Sequence, residues 1–159
     1  MAEADGEKLI ATNPHARSKY FIDEVVEAGI VLTGTEIKSI RNTAPNLRDA
    51  FVEIRSKGKN TLEAWLLNTH IGPYSHGNIW NHDPQRHRKL LLHRHQIDRM
   101  FGAITQKGLS IIPLRMYFKK GRAKVELGLG KGKKKHDKRE DLKKRSAERE
   151  MDQARKQRR

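Results

Sequence analysis

The chain has 159 residues, with 34 Lys and Arg against 19 Asp and Glu, a formal net charge of +15 and no cysteine. That length suggests one compact domain with appendages, and the missing cysteines exclude a disulfide framework or a thiolate metal site. The charge points to a nucleic-acid partner held mainly through its phosphates.

Residues 1–10 open with the polar, acidic Met1-Ala2-Glu3-Ala4-Asp5. This is unlike a secretory signal, so a short mobile arm on a soluble, cytoplasmic protein is expected. Asn13-Pro14-His15-Ala16-Arg17 mixes a turn signal with basic side chains. Tyr20 to Leu32 is rich in Val, Ile and aromatics, which suits a strand; Gly29 inside it predicts a bulge or a close backbone approach. Thr33-Gly34-Thr35-Glu36 is a capping box, followed by Ile37 and Ile40 at helical spacing. A short helix near 34–42 follows, with Lys38 and Arg41 on one face.

Ala50, Val52 and Ile54, then Leu62, Ala64 and Leu66, alternate on either side of a turn at 56–60, which predicts a hairpin. Residues 72–87 are irregular, and so long a loop in a compact domain is functional or mobile. Ile97, Met100, Phe101 and Ile104 form a helical stripe over 94–107 with Gly108 at the stop; the stripe is expected to pack in the core. Residues 112–118 and 125–129 form a second hairpin, with Pro113 at an edge or bulge. Gly128, Gly130 and Gly132 are expected to act as a flexible joint where the last strand leaves the body. The outline is mainly β with flanking helices (α+β): a small antiparallel barrel of five or so strands, of oligonucleotide-binding type, over residues 11–130.

Residues 131–159 hold 14 Lys and Arg and 6 Asp and Glu, a net +8, with no Phe, Trp, Tyr, Val or Ile. Such a segment cannot bury enough apolar surface to offset the entropy of ordering, so it is expected to be disordered alone. Glu140/Lys144, Asp141/Arg145 and Asp152/Lys156 sit four apart with the acid first, and neither Gly nor Pro follows Glu140. The tail therefore reads as a helix awaiting a polyanionic surface.

No apolar run reaches membrane-span length, and no basic amphipathic helix carries a Trp/Phe/Leu face. Eight histidines invite a metal reading, but none fits H-E-x-x-H, and His70, His76, His82, His93 and His95 suit surface or RNA-stacking roles better. There is no P-loop, nucleophile elbow or dinucleotide fingerprint. No catalytic residue, metal site or cofactor is therefore expected. An RNA-processing enzyme using His and Glu on a similar barrel is the competing class; it would cut labelled RNA, whereas an adaptor protects it. A generic ribosome-associated basic protein would bind structured RNAs with little preference.

Gly34-Thr35-Glu36-Ile37-Lys38-Ser39-Ile40-Arg41, Asn46-Leu47-Arg48-Asp49, His82-Asp83-Pro84 with Arg88-Lys89-Leu90-Leu91-Leu92, and Gly130-Lys131-Gly132-Lys133-Lys134 with His136-Asp137-Lys138-Arg139 resemble the small protein B family in register. These are the bacterial SsrA-binding proteins, partners of transfer-messenger RNA (tmRNA). The resemblance implies an oligonucleotide-binding-like barrel that binds the tRNA-like domain of tmRNA and acts in ribosome rescue without catalysis. It also implies a tail that occupies the small-subunit decoding centre and the vacant mRNA channel. A monomer is expected. By position, Asn13, Glu27 and Leu91 match the family's RNA contacts. Gly132, Lys133, Lys134, His136, Asp137, Lys138 and Arg139 match its ribosome-contacting motif. A carboxylate repels phosphate, so Glu27 is expected to accept from a base amino group or a 2′-hydroxyl. Lys38, Arg41, Lys89, Lys119 and Lys124 are assigned to phosphates on physical grounds. His136 is suited to stacking on a base, and Asp137 and Glu140 to capping the following helix.

Overall fold

The computed structural model describes residues 6–76 and 81–158. Seven strands and four helices follow in chain order: β1 (Glu7–Thr12), α1 (Ala16–Lys19), β2 (Tyr20–Ile30), α2 (Gly34–Asn42), β3 (Phe51–Ser56), β4 (Leu62–Leu67), β5 (Arg88–Leu91), α3 (Arg94–Lys107), β6 (Ser110–Lys119), β7 (Arg122–Gly132) and α4 (Lys135–Gln157). The strands form one antiparallel sheet in the order β1-β6-β7-β2-β5-β4-β3. β3 comes alongside β6, so the sheet rolls around a core that includes Ile40, Leu66, Leu90, Met100, Met116 and Leu127. Burying each such side chain contributes about 1.5–3 kcal/mol.

The period-2 stretches become the expected hairpins β3–β4 and β6–β7, and the capping box starts α2: Glu36 N donates to Thr33 Oγ1 at 3.4 Å and Thr33 N to Glu36 Oε1 at 3.2 Å. α3 ends on Gly108, whose φ of 64° is left-handed, as a helix stop requires. Pro113 lies at a register shift in β6, and β2 has its own shift between Ile22 and Glu24. Gly29 marks a close approach instead: a Cβ there would sit 3.2 Å from Leu91 Cβ.

Several expectations need correction. The mobile arm over residues 1–10 gives way at Glu7, because Glu7 to Thr12 pair with β6; residues 1–5 lie outside the described residues. Seven strands replace five, since β1 and β5 show too little alternation to stand out. Phe101 is not in the core but 41% exposed, whereas Met100 is buried. The barrel does not end at 130, because Lys131 and Gly132 still pair with Phe21 and Tyr20. Nor are the glycines of β7 a flexible joint. Gly128 and Gly130 are buried in the strand, and a Cβ on Gly130 would fall 2.2 Å from the Phe21 carbonyl oxygen. Their role is steric.

Residues 77–80 of the expected 72–87 loop lie outside the described residues, and its two ends are tied to α2 and to each other. Ser39 Oγ donates to Gly72 O at 2.6 Å, and Ile71 N to Pro84 O at 2.9 Å. His82 lies 2.9 Å from Thr35 Oγ1 through Nδ1 and 3.0 Å from Ile71 O through Nε2. Because a carbonyl only accepts, Nε2 carries the proton. Beneath this loop lies a buried ion cluster. Glu36 and Arg88 are both fully buried. Arg88 Nε donates to Glu36 Oε2, its Nη1 to Thr69 O at 2.7 Å and its Nη2 to Pro84 O at 3.2 Å. Arg86 adds bonds of 3.0 and 2.6 Å to Glu36 Oε1. Burial alone would push the Glu36 carboxyl up; the bonds from Arg88 and Arg86 hold it below its ordinary value.

Candidate nucleic-acid interface

The pleat of the sheet sorts the candidate RNA residues. Gly29 on β2 is opposite Leu91 of β5 on one side and Lys124 of β7 on the other. Lys124 is in turn opposite Tyr117 of β6. Directly paired residues share a face, so Glu27, Leu91, Lys124, Tyr117 and Lys119 all lie on the face of the sheet away from the core, where Tyr117 is nonetheless covered by its neighbours. Leu91 is 55% exposed there. Its place in the Leu90-Leu91-Leu92 run would suit the core equally well, but β5 turns Leu90 inward and Leu91 out. An exposed leucine beside a carboxylate and lysines could offer a base an apolar surface, leaving the charges for backbone and edge groups.

Glu27 is held rather than free. Tyr117 Oη donates to its Oε2, and Lys119 Nζ lies 3.5 Å from the same atom. The Tyr117 hydrogen bond keeps the Glu27 carboxyl below its usual range, with Lys119 and Lys124 adding their charge against a smaller opposing effect of burial. The Tyr117 hydroxyl is pushed up by burial and by Glu27. Beside them Arg115 lies 4.3 Å from the centre of the Tyr117 ring and donates to Glu126 at 2.7 Å and Glu7 at 3.1 Å. Sequence reasoning did not find Tyr117 or Arg115. In a strand their alternation looks like ordinary strand composition, and their partners lie on other strands.

The other candidates are more scattered. Lys89, two residues from Leu91 on the same face, is 3.5 Å from Glu63. Arg41 lies 5.7 Å from the Phe118 ring and Lys38 5.6 Å from the Tyr74 ring, so α2 carries them on separate surroundings. Asn13 sits toward the other end of β6, at the Pro113–Leu114 irregularity. Its Nδ2 donates to Pro113 O at 2.9 Å and its Oδ1 accepts from His15 N at 3.1 Å. Lys124 forms no ion pair within 4 Å among the described residues.

In the basic segment, β7 ends at Gly132 opposite Tyr20. Lys133 is turned inward, its side chain only 6% exposed. Its Nζ donates to Arg17 O at 2.9 Å and to the Asp141 carboxylate, and lies 4.8 Å from the Phe21 ring centre; its backbone N donates to Lys19 O at 2.8 Å. That hydrogen bond, with the charge of Lys133, holds the Asp141 carboxyl below its usual range. Asp137 caps α4, accepting from Lys134 N at 3.2 Å; Glu140, expected to cap as well, lies inside the helix and forms no capping bond among the described residues. His136 lies 3.3 Å from Glu140. Lys134, His136 and Arg139 are exposed, Lys138 half-buried, and no residue of α4 is fully buried. Among the described residues no three His, Asp or Glu side chains are grouped to hold a metal ion, and no helix is long and apolar enough to cross a membrane.

The sequence profile described as SmpB protein matches residues 10–157. The chain is 56% identical over 149 residues to the SsrA-binding protein of Pelobacter propionicus, covering 94% of this chain and 95% of the relative. It is 53% identical over 154 residues to that of Geobacillus thermodenitrificans, covering 97% and 96%. A solved structure described as "tmRNA-SmpB: a journey to the center of the bacterial ribosome" superposes with a TM-score of 0.64 at 43% identity, covering 83% of this chain and 93% of that one.

Proposed function

The chain belongs to the SmpB family, RNA-binding proteins rather than enzymes, and from that premise we propose how its two surfaces divide the work of trans-translation. The chain binds tmRNA and works with the ribosome, as the names of its relatives and structural neighbour say of those proteins. The body takes the tRNA-like domain. The observation that carries this is the outer-face group of Glu27, Leu91 and Lys124, gathered from β2, β5 and β7 around Gly29. Leu91 offers an apolar seat for a base, Lys124 a phosphate contact, and Glu27 an acceptor for an amino group or 2′-hydroxyl. Lys38, Arg41, Lys89 and Lys119 add phosphate contacts around it, and Asn13 a second point of contact near α1.

The tail takes the ribosome. Lys134, His136 and Arg139, exposed at the start of α4, meet rRNA in the decoding centre together with the half-buried Lys138, with the rest of the helix along the vacant mRNA channel. Asp137 acts on the helix start, and Lys133 holds the root of the tail to the body. A chain ending after Lys134 tests this division. It keeps every strand, so it should stay folded and retain tmRNA affinity while losing tagging of stalled products. Asp137→Ala with Arg139→Ala leaves the net charge unchanged and should also impair tagging. Normal tagging by the double variant would mean the tail acts by bulk charge; loss of tmRNA binding in the truncated chain would overturn the division itself.

A further inference from the structure

Glu27 has two carboxylate oxygens, and the barrel treats them differently. Both of its donors, Tyr117 Oη and Lys119 Nζ, converge on Oε2. Oε1 has no hydrogen-bond partner among the described residues, and the side chain is 39% exposed. The donor that fixes this arrangement is itself fixed: Tyr117 is 1% exposed, and Arg115 lies against its ring, held by Glu126 and Glu7. The carboxylate is thus set by a chain of side chains before any ligand arrives, which lowers the ordering that binding must impose.

We propose that Tyr117 is a positioning residue that presents Glu27 Oε1 alone to the RNA, as an acceptor for a single donor on one nucleotide. This rests on the reading of Glu27 as an RNA contact. The paired N–H donors on the Watson–Crick edge of guanine call for both oxygens of a carboxylate. With Oε2 committed to Tyr117 and Lys119, the matching groups are an exocyclic amino group of adenine or cytosine, or a 2′-hydroxyl. Leu91, across Gly29, supplies the apolar flank on which that nucleotide rests.

Tyr117→Phe in the full-length chain removes the hydroxyl and keeps the ring under Arg115. Affinity for the isolated tRNA-like RNA should fall about tenfold, as for a lost hydrogen bond to a charged group, with an arbitrary hairpin of equal length bound as by the wild type. In the free protein the ¹³C resonance of the Glu27 carboxyl should titrate at higher pH than in the wild type, which reports loss of the Tyr117 hydrogen bond with the packing of the ring retained. Glu27→Ala is measured alongside. If it weakens both RNAs alike, the reading of Glu27 itself fails. If it weakens only the tRNA-like RNA while Tyr117→Phe binds like the wild type, Tyr117 does not position it. Should Tyr117→Phe not fold, the hydroxyl proton of Tyr117 in wild-type protein decides the matter. Its persistence in the RNA complex with coupling to Glu27 supports the proposal, and its transfer to an RNA acceptor overturns it.

Discussion

Replacing Glu36 by Gln tests the buried ion cluster under the 72–87 loop. The amide keeps the shape of the carboxylate but turns an N–H₂ group toward one of two guanidinium groups. Arg88 stays fully buried with no anion to meet its charge. Breaking a buried pair in this way costs about 3–5 kcal/mol, out of a total stability of about 5–15 kcal/mol. Urea unfolding should show the loss as a lower midpoint with an unchanged slope, a shift of at least about 1 M. Glu36→Leu with Arg88→Met should lose less than the sum of the two single variants, because the pair leaves together. The acid limb provides a second readout. Glu36 has a folded pKa below its unfolded value, so its stabilisation is complete above the ordinary glutamate range and is lost as pH falls through the depressed value. Glu36→Gln should flatten that part of the stability profile. A loss under about 1 kcal/mol, where exposed substitutions fall, would refute the reasoning and mean that Arg88 finds its compensation in the Thr69 and Pro84 carbonyls.

The glycines of β7 separate packing from function. Gly130→Ala should unfold or strongly destabilise the body, since its Cβ would collide with the Phe21 backbone, whereas Gly132→Ala has its nearest atom 3.9 Å away and should leave the thermal midpoint unchanged. Lys124→Ala should weaken tmRNA binding and make the dependence of log K on log salt shallower by about 0.7–0.9, the contribution of one neutralised phosphate; an unchanged slope would remove Lys124 from the phosphate contacts.

What was legible in the sequence was local. The Thr33–Glu36 box, the stripe of α3 and the two hairpins each announce themselves within a dozen residues. The second use of Glu36 does not, because its partner Arg88 is 52 residues away and β5 reverses the usual rule. In Arg88-Lys89-Leu90-Leu91 the strand turns a charge and a leucine inward and a lysine and a leucine outward. Only the position of Glu36 makes that arrangement favourable. β1 was missed for a similar reason: its pairing with β6 spans about a hundred residues. The β7 glycines were misread because absence of a side chain signals flexibility locally, while its cause here is another backbone passing close by. Family resemblance singled out Glu27 and Leu91 as candidates, but the Tyr117 and Lys119 bonds to Glu27 depend on register across three strands.

α4 also sets a length. Its 23 residues, at a rise of 1.5 Å each, carry the chain about 34 Å from Lys134, while the same segment drawn out as an extended strand would span roughly twice that distance. Lys133 joins the start of α4 to α1, so the tail in its helical form leaves the body from a fixed point. A surface that receives it in this form must offer a straight track of that length, starting beside α1. Each residue inserted beyond Asp141 would advance the tip by about 1.5 Å and swing it round by about 100°, changing which cations face the track while leaving their number the same.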